Sequence, residues 1–360
     1  MLIDDTDCEF MKACLPDRMV ISDQHLLLTE ETRAAKNVQI IANTVREVCR
    51  HDNHLFTLKK RSDGSHAIQA NRDGTKIMRA VTEQLPLVEE LIPCNVFNPF
   101  VEQLRKQLDL RPELREIPTK PPATVGGETL IWYGWLTDFV KDLRSAVRGD
   151  AFQRELLNRR KQTEKNHRAG SCYIDKIFEK RSKVLVIRLD LVVGGESPDG
   201  RGITQTVDLT QARAEFSKFL RYLRANFPLI GYLRELEYGL HTGYHFHLLI
   251  FLDGHLKRDG IGIAQKLGEH WKNVISEGRG RYWNCNERPQ DYERFALGMT
   301  HRSDALKRKD LIDKVLDYLT RKRFWMRLEG VKKTFGKGQL YVCLPNTSQF
   351  TNKEEGVYKK

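Results

Sequence analysis

The chain of 360 residues lacks the features that carry a protein into or across a membrane. No stretch approaches the roughly 18 apolar residues of a membrane-spanning helix. The N-terminal residues MLIDDTDCEF are acidic and lack the basic segment and apolar run of a signal peptide. We therefore expect a cytoplasmic protein with no membrane partner.

Paired cysteines are missing as well. The seven cysteines lie far apart, and no Cys-x-x-Cys pair occurs among them. An odd number at such spacing argues against a disulfide framework and against a structural zinc site, and it fits a reducing compartment. Internal repeats and long low-complexity tracts are also absent.

The chain carries more positive than negative charge. Hydrophobic residues make up 40% and charged residues 30% of the chain, a composition typical of globular proteins. The 60 Lys and Arg residues against 48 Asp and Glu residues give a net charge of +12. This surplus favours a polyanionic partner such as nucleic acid or an anionic membrane. The length allows two domains.

Apolar residues at helical spacing predict a mainly helical N-terminal region, residues 1–165, whose role the sequence does not indicate. Prolines and a Gly-Gly pair between Ile117 and Gly127 predict a linker or a long surface loop. The predicted helices run from Thr29 to Arg50, from about Met78 to an interruption at Pro86, from Val101 to Leu108 and from Trp132 to Leu157.

From about Lys183 strands and helices alternate, and we expect one domain over residues 170–345 with a flexible tail at 346–360. The order β-α-β-β-α-β-α predicts an α+β fold in which helices cover one face of an antiparallel sheet. The predicted strands are Lys183–Val193, Ile230–Tyr238, Tyr244–Leu252 and Arg281–Cys285, and the predicted helices are Leu209–Phe227, Ile261–Val274 and Asp310–Met326.

A histidine pair marks the third strand. Residues two apart on a strand point to the same face, so His245 and His247 present two imidazoles side by side while Phe246 points into the core. A turn through His241 to Gly243 brings Glu237 of the preceding strand beside them. Two imidazoles and one carboxylate can bind a divalent metal and leave positions open for phosphate oxygens and water.

The last predicted helix carries a tyrosine at the margin of its apolar stripe. Tyr318 lies beside the stripe, and Lys322, four residues later, shares its side of the helix. A phenol in this position can reach a neighbouring metal site, and a nearby ammonium favours the phenolate. Together with a metal ion that polarises a phosphodiester, Tyr318 could attack phosphorus and form a 5′-phosphotyrosine, releasing a 3′-hydroxyl. The buried stripe consists of Leu311, Ile312, Val315, Leu316 and Leu319.

Basic residues surround the end of this helix. Phe324, Trp325 and Phe335 alternate with them and could stack on unpaired bases, which favours binding of single-stranded nucleic acid. A smaller patch with Arg281 precedes it. The candidate nucleic-acid-binding residues are Arg321, Arg323, Trp325, Arg327, Lys332, Lys333 and Arg281.

The motifs resemble those of the His-hydrophobe-His (HUH) replication initiators, and more narrowly those of the inovirus-type replication proteins and the YagK/YfjJ C-terminal-domain family of prophages. The resemblance covers roughly Lys183 to Leu340. It rests on the segments Glu237–Gly239, Gly243–Phe251, Gly280–Asn286 and Tyr318–Thr320.

This resemblance implies an RRM-like endonuclease core in which Lys183–Leu191 is the first motif strand. Glu237, His245 and His247 would bind Mg²⁺ or Mn²⁺, and Tyr318 would be the nucleophile. It further implies rolling-circle initiation on single-stranded DNA, at an origin or hairpin in a bacterial host cell, with a host helicase and polymerase as possible partners. The family pattern has a Lys three residues after the Tyr, where this chain has Arg321, so either Arg321 or Lys322 could assist.

Other functions compete with this interpretation. A DNA-binding regulator could keep the fold without catalysis, although neither the tyrosine nor a ligand is lost here. A phosphoesterase with two His-x-Ser/Thr motifs is disfavoured, since both histidines lie in one motif that lacks the hydroxyl residue. A zinc hydrolase would leave the tyrosine helix and the basic segment without a purpose.

Overall fold

The computed structural model describes residues 25–121, 123–125, 127–196, 203–205, 207–239, 243–287, 289 and 295–341. The predicted tail at 346–360 and the turn residues His241 and Thr242 lie outside this part. Among the described residues, no helix is both long enough and apolar enough to cross a membrane.

Helices form most of the N-terminal half. They are α1 (His25–Arg50), α2 (Arg72–Arg79), α3 (Leu85–Leu91), α4 (Pro99–Asp109), α5 (Glu128–Arg148) and α6 (Asp150–Lys180). Strands β1 (Phe56–Lys60) and β2 (His66–Ala70) pair as an antiparallel hairpin, and β3 (Asn95–Phe97) is short. The predictions of α1 and α4 are confirmed, and Val38, Ile41, Val45 and Val48 of α1 are buried as their spacing requires.

Two predictions for this half need correction. Pro86 does not interrupt its helix, because a π-helical turn at Ala80–Gln84 leads directly into α3 and places the proline in the first turn of α3, where its missing N–H is tolerated. The helix predicted from Trp132 to Leu157 is two helices joined at Gly149. The second, α6, continues to Lys180, so the boundary predicted between residues 165 and 170 lies inside a helix.

The C-terminal half combines a six-stranded antiparallel sheet with helices on both faces. Its strands are β4 (Lys183–Val192), β7 (Leu229–Gly239), β8 (Gly243–Asp253), β9 (Arg281–Asn284), β10 (Gly298–His301) and β12 (Gly336–Lys337), while β5 (Gly195–Glu196) pairs with β6 (Ile203–Gln205). The helices are α7 (Leu209–Asn226), α8 (Gly260–His270), α9 (Ala305–Asp310) and α10 (Asp317–Trp325). The strand order is β10-β4-β8-β7-β12, and β9 pairs with β4 beside β10. The predicted α+β class with an antiparallel sheet is confirmed.

Helices cover both faces of this sheet, so the prediction of helices on one face is wrong. On the face covered by α7 and α8, here called the α7–α8 face, Leu189 of β4 shares a buried cluster with Phe219 of α7. On the opposite face, here called the α6–α10 face, Leu249 of β8 shares a second cluster with Ile177 of α6 and Leu319 of α10. The near-continuous apolar run of β4 already reflects burial on two sides.

The helix that carries Tyr318 begins earlier than predicted. It starts at Ala305 rather than Asp310, and a π-helical turn at Leu311–Leu316 joins α9 to α10. Because a π-helical turn repeats after about five residues, Leu311 and Leu316 both face the core.

The N-terminal and C-terminal halves are joined by a pair of β-strands and by a common hydrophobic core. Strand β11 (Met326–Leu328), which follows α10, pairs with β3 of the N-terminal half. Phe324 and Trp325 belong to the same buried cluster as Phe139 of α5 and Phe152 of α6, here called the N-terminal core. The N-terminal half is therefore packed directly against the end of α10.

Candidate metal centre

Polar groups replace the apolar core at one end of the α6–α10 face. Residues opposite each other in antiparallel strands share a face, and two neighbouring rows cross the sheet here. One row contains Val192, His245 and Glu237, and the next contains Asp190, His247 and Glu235. The alternation of β4, β7 and β8 therefore places two imidazoles and three carboxylates on one small area.

Three of these groups form a set of possible metal ligands. The Nε2 atoms of His245 and His247 each lie 3.3 Å from Oε2 of Glu237, and one ligand atom from each residue lies within 4.8 Å of the others. Neighbouring ligands in an octahedral site with bonds of about 2.1 Å are separated by about 3 Å. Nε2 of His247 is buried and has no well-oriented hydrogen-bond partner among the described residues. The donor set therefore fits a divalent cation.

The opposite nitrogen of each imidazole also has a close polar neighbour. Nδ1 of His245 lies 3.1 Å from the carbonyl oxygen of Gly243. Nδ1 of His247 lies 2.9 Å from Oδ1 of Asp190, an ion-pair distance at which neither atom has a well-oriented hydrogen bond among the described residues. Contacts of this kind hold metal-binding histidines in the orientation and tautomer that direct Nε2 toward the ion.

The charges of the cluster are strongly coupled. Burial acts to lower the pKa of His247, but the neighbouring Asp190, Tyr318 and Glu237 outweigh it and raise this pKa well above the usual value. Burial acts to raise the pKa of Glu237, but Lys322 and His247 hold it well below the usual range. Burial raises the pKa of Glu235 to about 8, against the opposing hydrogen bond from Thr334.

Tyr318 borders this cluster at His247. Its ring stands edge-on to the imidazole of His247, with 5.6 Å between ring centroids and an interplanar angle of 89°. The guanidinium of Arg188 lies 4.2 Å from the centre of the phenol ring, and its NH2 group is 3.4 Å from Oδ2 of Asp190. Tyr318 is partly exposed, whereas Arg188 and Asp190 are buried. The residues predicted separately on β7, β8 and the last helix thus meet in one place.

The two candidate cations after Tyr318 have different partners. The Lys322 ammonium forms an ion pair with Oε2 of Glu237. Arg321 instead pairs with Asp317 at 2.5 Å, and Asp317 also lies 3.2 Å from Nε2 of His167 on α6. Lys322 therefore contacts the ligand cluster, whereas Arg321 pairs with Asp317 inside α10, and Asp317 makes the contact with α6 through His167.

The predicted nucleic-acid residues are placed in three ways. Trp325 is only 1% exposed, so its ring cannot stack on a base, and Phe324 and Phe335 are buried too; the aromatic part of that prediction is wrong. Arg323 is partly buried and donates hydrogen bonds to Thr334 and to the carbonyl of Lys332. The other predicted contacts lie nearer the surface: Arg327, Lys332 and Lys333 are exposed, and Arg281 and Arg321 are partly buried.

Arg188 and Asp190 are site residues that were not predicted from the sequence. Their signal was available, since two ionisable residues two positions apart interrupt an otherwise apolar strand and must share a face. The partner strand could not be read from that pattern, because register between β4 and β8 depends on the whole sheet.

No family model, curated protein or solved structure matches this chain. The site must therefore be interpreted from its own geometry.

Proposed function

We propose that this protein nicks and rejoins single-stranded DNA by a tyrosine attack assisted by Mg²⁺ or Mn²⁺, as a rolling-circle replication initiator with an RRM-like HUH core. The proposal includes action at an origin or hairpin in the cytoplasm of a bacterial host, together with host helicase and polymerase. Its strongest support is one juxtaposition: the phenol of Tyr318 lies against His247, which belongs to the His-His-Glu ligand set.

The reaction follows from the atoms present. The phenolic oxygen of Tyr318 forms a bond to phosphorus, and the bond from phosphorus to the 3′ oxygen breaks. The phenol loses its proton and the departing 3′ oxygen gains one, so the products are a 5′-phosphotyrosine and a free 3′-hydroxyl. Attack by a 3′-hydroxyl on that phosphotyrosine reverses the step and joins two ends.

Each neighbouring residue has a definable part. His245, His247 and Glu237 would hold the divalent ion, which when bound supplies Lewis-acid polarisation of the scissile phosphate. Asp190 orients His247 through Nδ1. Arg188 packs its cation against the phenol ring, an arrangement that restricts the orientation of the ring. Lys322 neutralises charge at Glu237.

The decisive experiment tests for a covalent intermediate. Purified protein is incubated with labelled single-stranded oligonucleotides from its own genomic neighbourhood, with Mn²⁺ or with EDTA, and analysed on denaturing gels. We expect a metal-dependent protein–DNA adduct that is lost in Tyr318→Phe and in the double variant His245→Ala/His247→Ala. Tyr318→Phe should retain DNA binding.

Two results would contradict the proposal. Full nicking by Tyr318→Phe would remove the tyrosine from the mechanism. Binding of DNA without any adduct across a broad oligonucleotide pool would favour the alternative, a regulator that keeps the fold without catalysis.

A further inference from the structure

Strand β9 presents two different surfaces. Tyr282 and Asn284 face α8, where Tyr282 donates a hydrogen bond to Glu269 and Asn284 donates one to the carbonyl of Ile261. Arg281 and Trp283 alternate with them and therefore face the α6–α10 side, on which the metal ligands lie.

The register places both residues in the two rows of the candidate metal centre. Trp283 is opposite Asp190, which is opposite His247, and Arg281 is opposite Val192, which is opposite His245. Each row thus continues from β8 across β4 to β9. Because neighbouring strands are about 4.8 Å apart, Trp283 lies roughly 10 Å from His247 along the sheet.

Trp283 differs from the other tryptophans of this half. Trp271 and Trp325 are at most 1% exposed and lie within apolar cores. Trp283 packs against the core of the α6–α10 face but remains partly exposed. Packing against this core thus holds Trp283 in the same row as Asp190 and His247, while the residue keeps part of its surface exposed.

We infer that Trp283 and Arg281 form a nucleobase subsite beside the metal centre, in which the indole stacks on the base of a nucleotide next to the scissile phosphate and Arg281 contacts a backbone phosphate. The inference rests on the proposed single-stranded DNA substrate. In this arrangement Trp283 stacks on a base, which the buried Trp325 cannot do.

The chemistry of Trp283, Arg281 and the adjacent His-His-Glu set favours a nucleotide over other ligands. An aromatic face attracts any base, a guanidinium attracts phosphate, and the adjacent His-His-Glu set offers a place for a metal-bound phosphate. A nucleotide has these groups in one molecule, with its base and phosphate separated by the sugar. A stack of this kind is tolerant of sequence, since every base has a π face.

The test compares strands with and without bases. Binding of fluorescein-labelled oligo(dT), and of an abasic strand of equal length, is measured by anisotropy for the full chain carrying Tyr318→Phe, so that neither strand is cut. Trp283→Leu, which keeps apolar contact with the core, should weaken oligo(dT) binding about tenfold, or about 1.4 kcal/mol. Binding of the abasic strand should not change, and Trp283→Phe should retain most of the affinity.

Trp135→Leu is the matched control, since Trp135 is also partly buried but lies on α5 against the N-terminal core. It should leave both affinities unchanged. Three results would overturn the subsite: equal binding of the two strands by the parent protein, no effect of Trp283→Leu, or an equal loss on both strands.

The subsite and the proposed function can fail separately. A tyrosine-dependent adduct together with unchanged oligo(dT) binding in Trp283→Leu would reject the subsite and keep the nuclease. A base-dependent loss in Trp283→Leu without any adduct in the parent chain would keep the subsite and reject the nuclease.

Discussion

The carboxylate of Asp190 contacts two neighbouring side chains. Its carboxylate lies beside Nδ1 of His247 and beside the guanidinium of Arg188, and the same neighbours lower its pKa against the opposing effect of burial. The residue thus connects a candidate metal ligand with the cation that packs on Tyr318. Its effect on the site is exerted through these two neighbours.

Replacing Asp190 with Asn should weaken Mn²⁺ binding about 10- to 100-fold, since the amide orients His247 less strongly than a carboxylate does. Titration calorimetry with Mn²⁺ measures this without any DNA. Asp253→Asn is the control, because Asp253 is also buried in the sheet but pairs with Arg181 at the other end of β8. Wild-type affinity in Asp190→Asn would contradict the assignment.

Lys322 and a divalent cation compete for the same carboxylate oxygen of Glu237. Lys322→Met should therefore bind Mn²⁺ more tightly than the parent chain and cleave DNA more slowly, because the cation that offsets charge at Glu237 is lost. Arg321→Met, whose partner is Asp317, should leave Mn²⁺ affinity unchanged. The same calorimetry separates the two, and weaker binding by Lys322→Met would oppose this account.

At the level of single residues, the proximity of the candidate ligands was predictable from the sequence, and the burial of their neighbours was not. The spacing of Glu237, His245 and His247 determines that they share a face once their strands pair, so their proximity could be predicted. The burial of Trp325 could not, because the aromatic ring enters a core made by a segment about two hundred residues earlier in the chain. Local pattern does not contain that distant contact.

The packing of α6 against the tyrosine helix depends on a glycine. A Cβ atom added at Gly170 of α6 would lie 2.4 Å from Cδ1 of Leu316, which is fully buried in the π-helical turn before α10. Gly170→Ala should destabilise the protein by about 1–2 kcal/mol, since overpacking exceeds the gain in helix propensity.

Gly134→Ala is the matched control on α5. Nothing lies within 4 Å of its added Cβ, so the same substitution should stabilise the protein by about 1 kcal/mol. Urea unfolding of both variants gives the two free energies. A Gly170→Ala variant as stable as the parent would show that Leu316 can move aside.

Elements with strong periodicity were predicted well, and irregular ones were not. The helices α1, α4 and α7 and the strands β4, β7 and β8 follow directly from apolar spacing. The π-helical turn before Tyr318 was missed, since its five-residue repeat resembles an ordinary helical pattern with one extra residue. Strands β10, β11 and β12 are only two to four residues long and form through pairing rather than local preference.

Because the two halves share one hydrophobic core, we expect them to unfold together. Phe139→Ala removes a buried ring from the N-terminal core and should cost about 3–5 kcal/mol. Because Phe324 and Trp325 lie in that core, hydrogen exchange in peptides from α10 should accelerate together with exchange in α5. Unchanged protection of α10 in this variant would show that the halves open independently.

The overall surplus of positive charge predicts salt-dependent DNA binding. Exposed Lys332 and Lys333 follow the tyrosine helix, and their joint replacement by Gln should reduce the slope of log affinity against log salt by about 1.4 on single-stranded DNA. Lys59→Gln/Lys60→Gln on the β1–β2 hairpin is the charge-matched control, also on exposed residues. An identical slope change in both variants would indicate a general charge effect rather than a contact.

The order of the chain gives the shared core a consequence during synthesis. Synthesis proceeds from the N-terminus, so the N-terminal helices are made well before Phe324 and Trp325, which complete their core. The nascent protein therefore displays its histidines before it possesses either a finished N-terminal core or the helix with Tyr318. A translation product that stops before Tyr318 would lack the proposed nucleophile together with both aromatic residues that complete the N-terminal core.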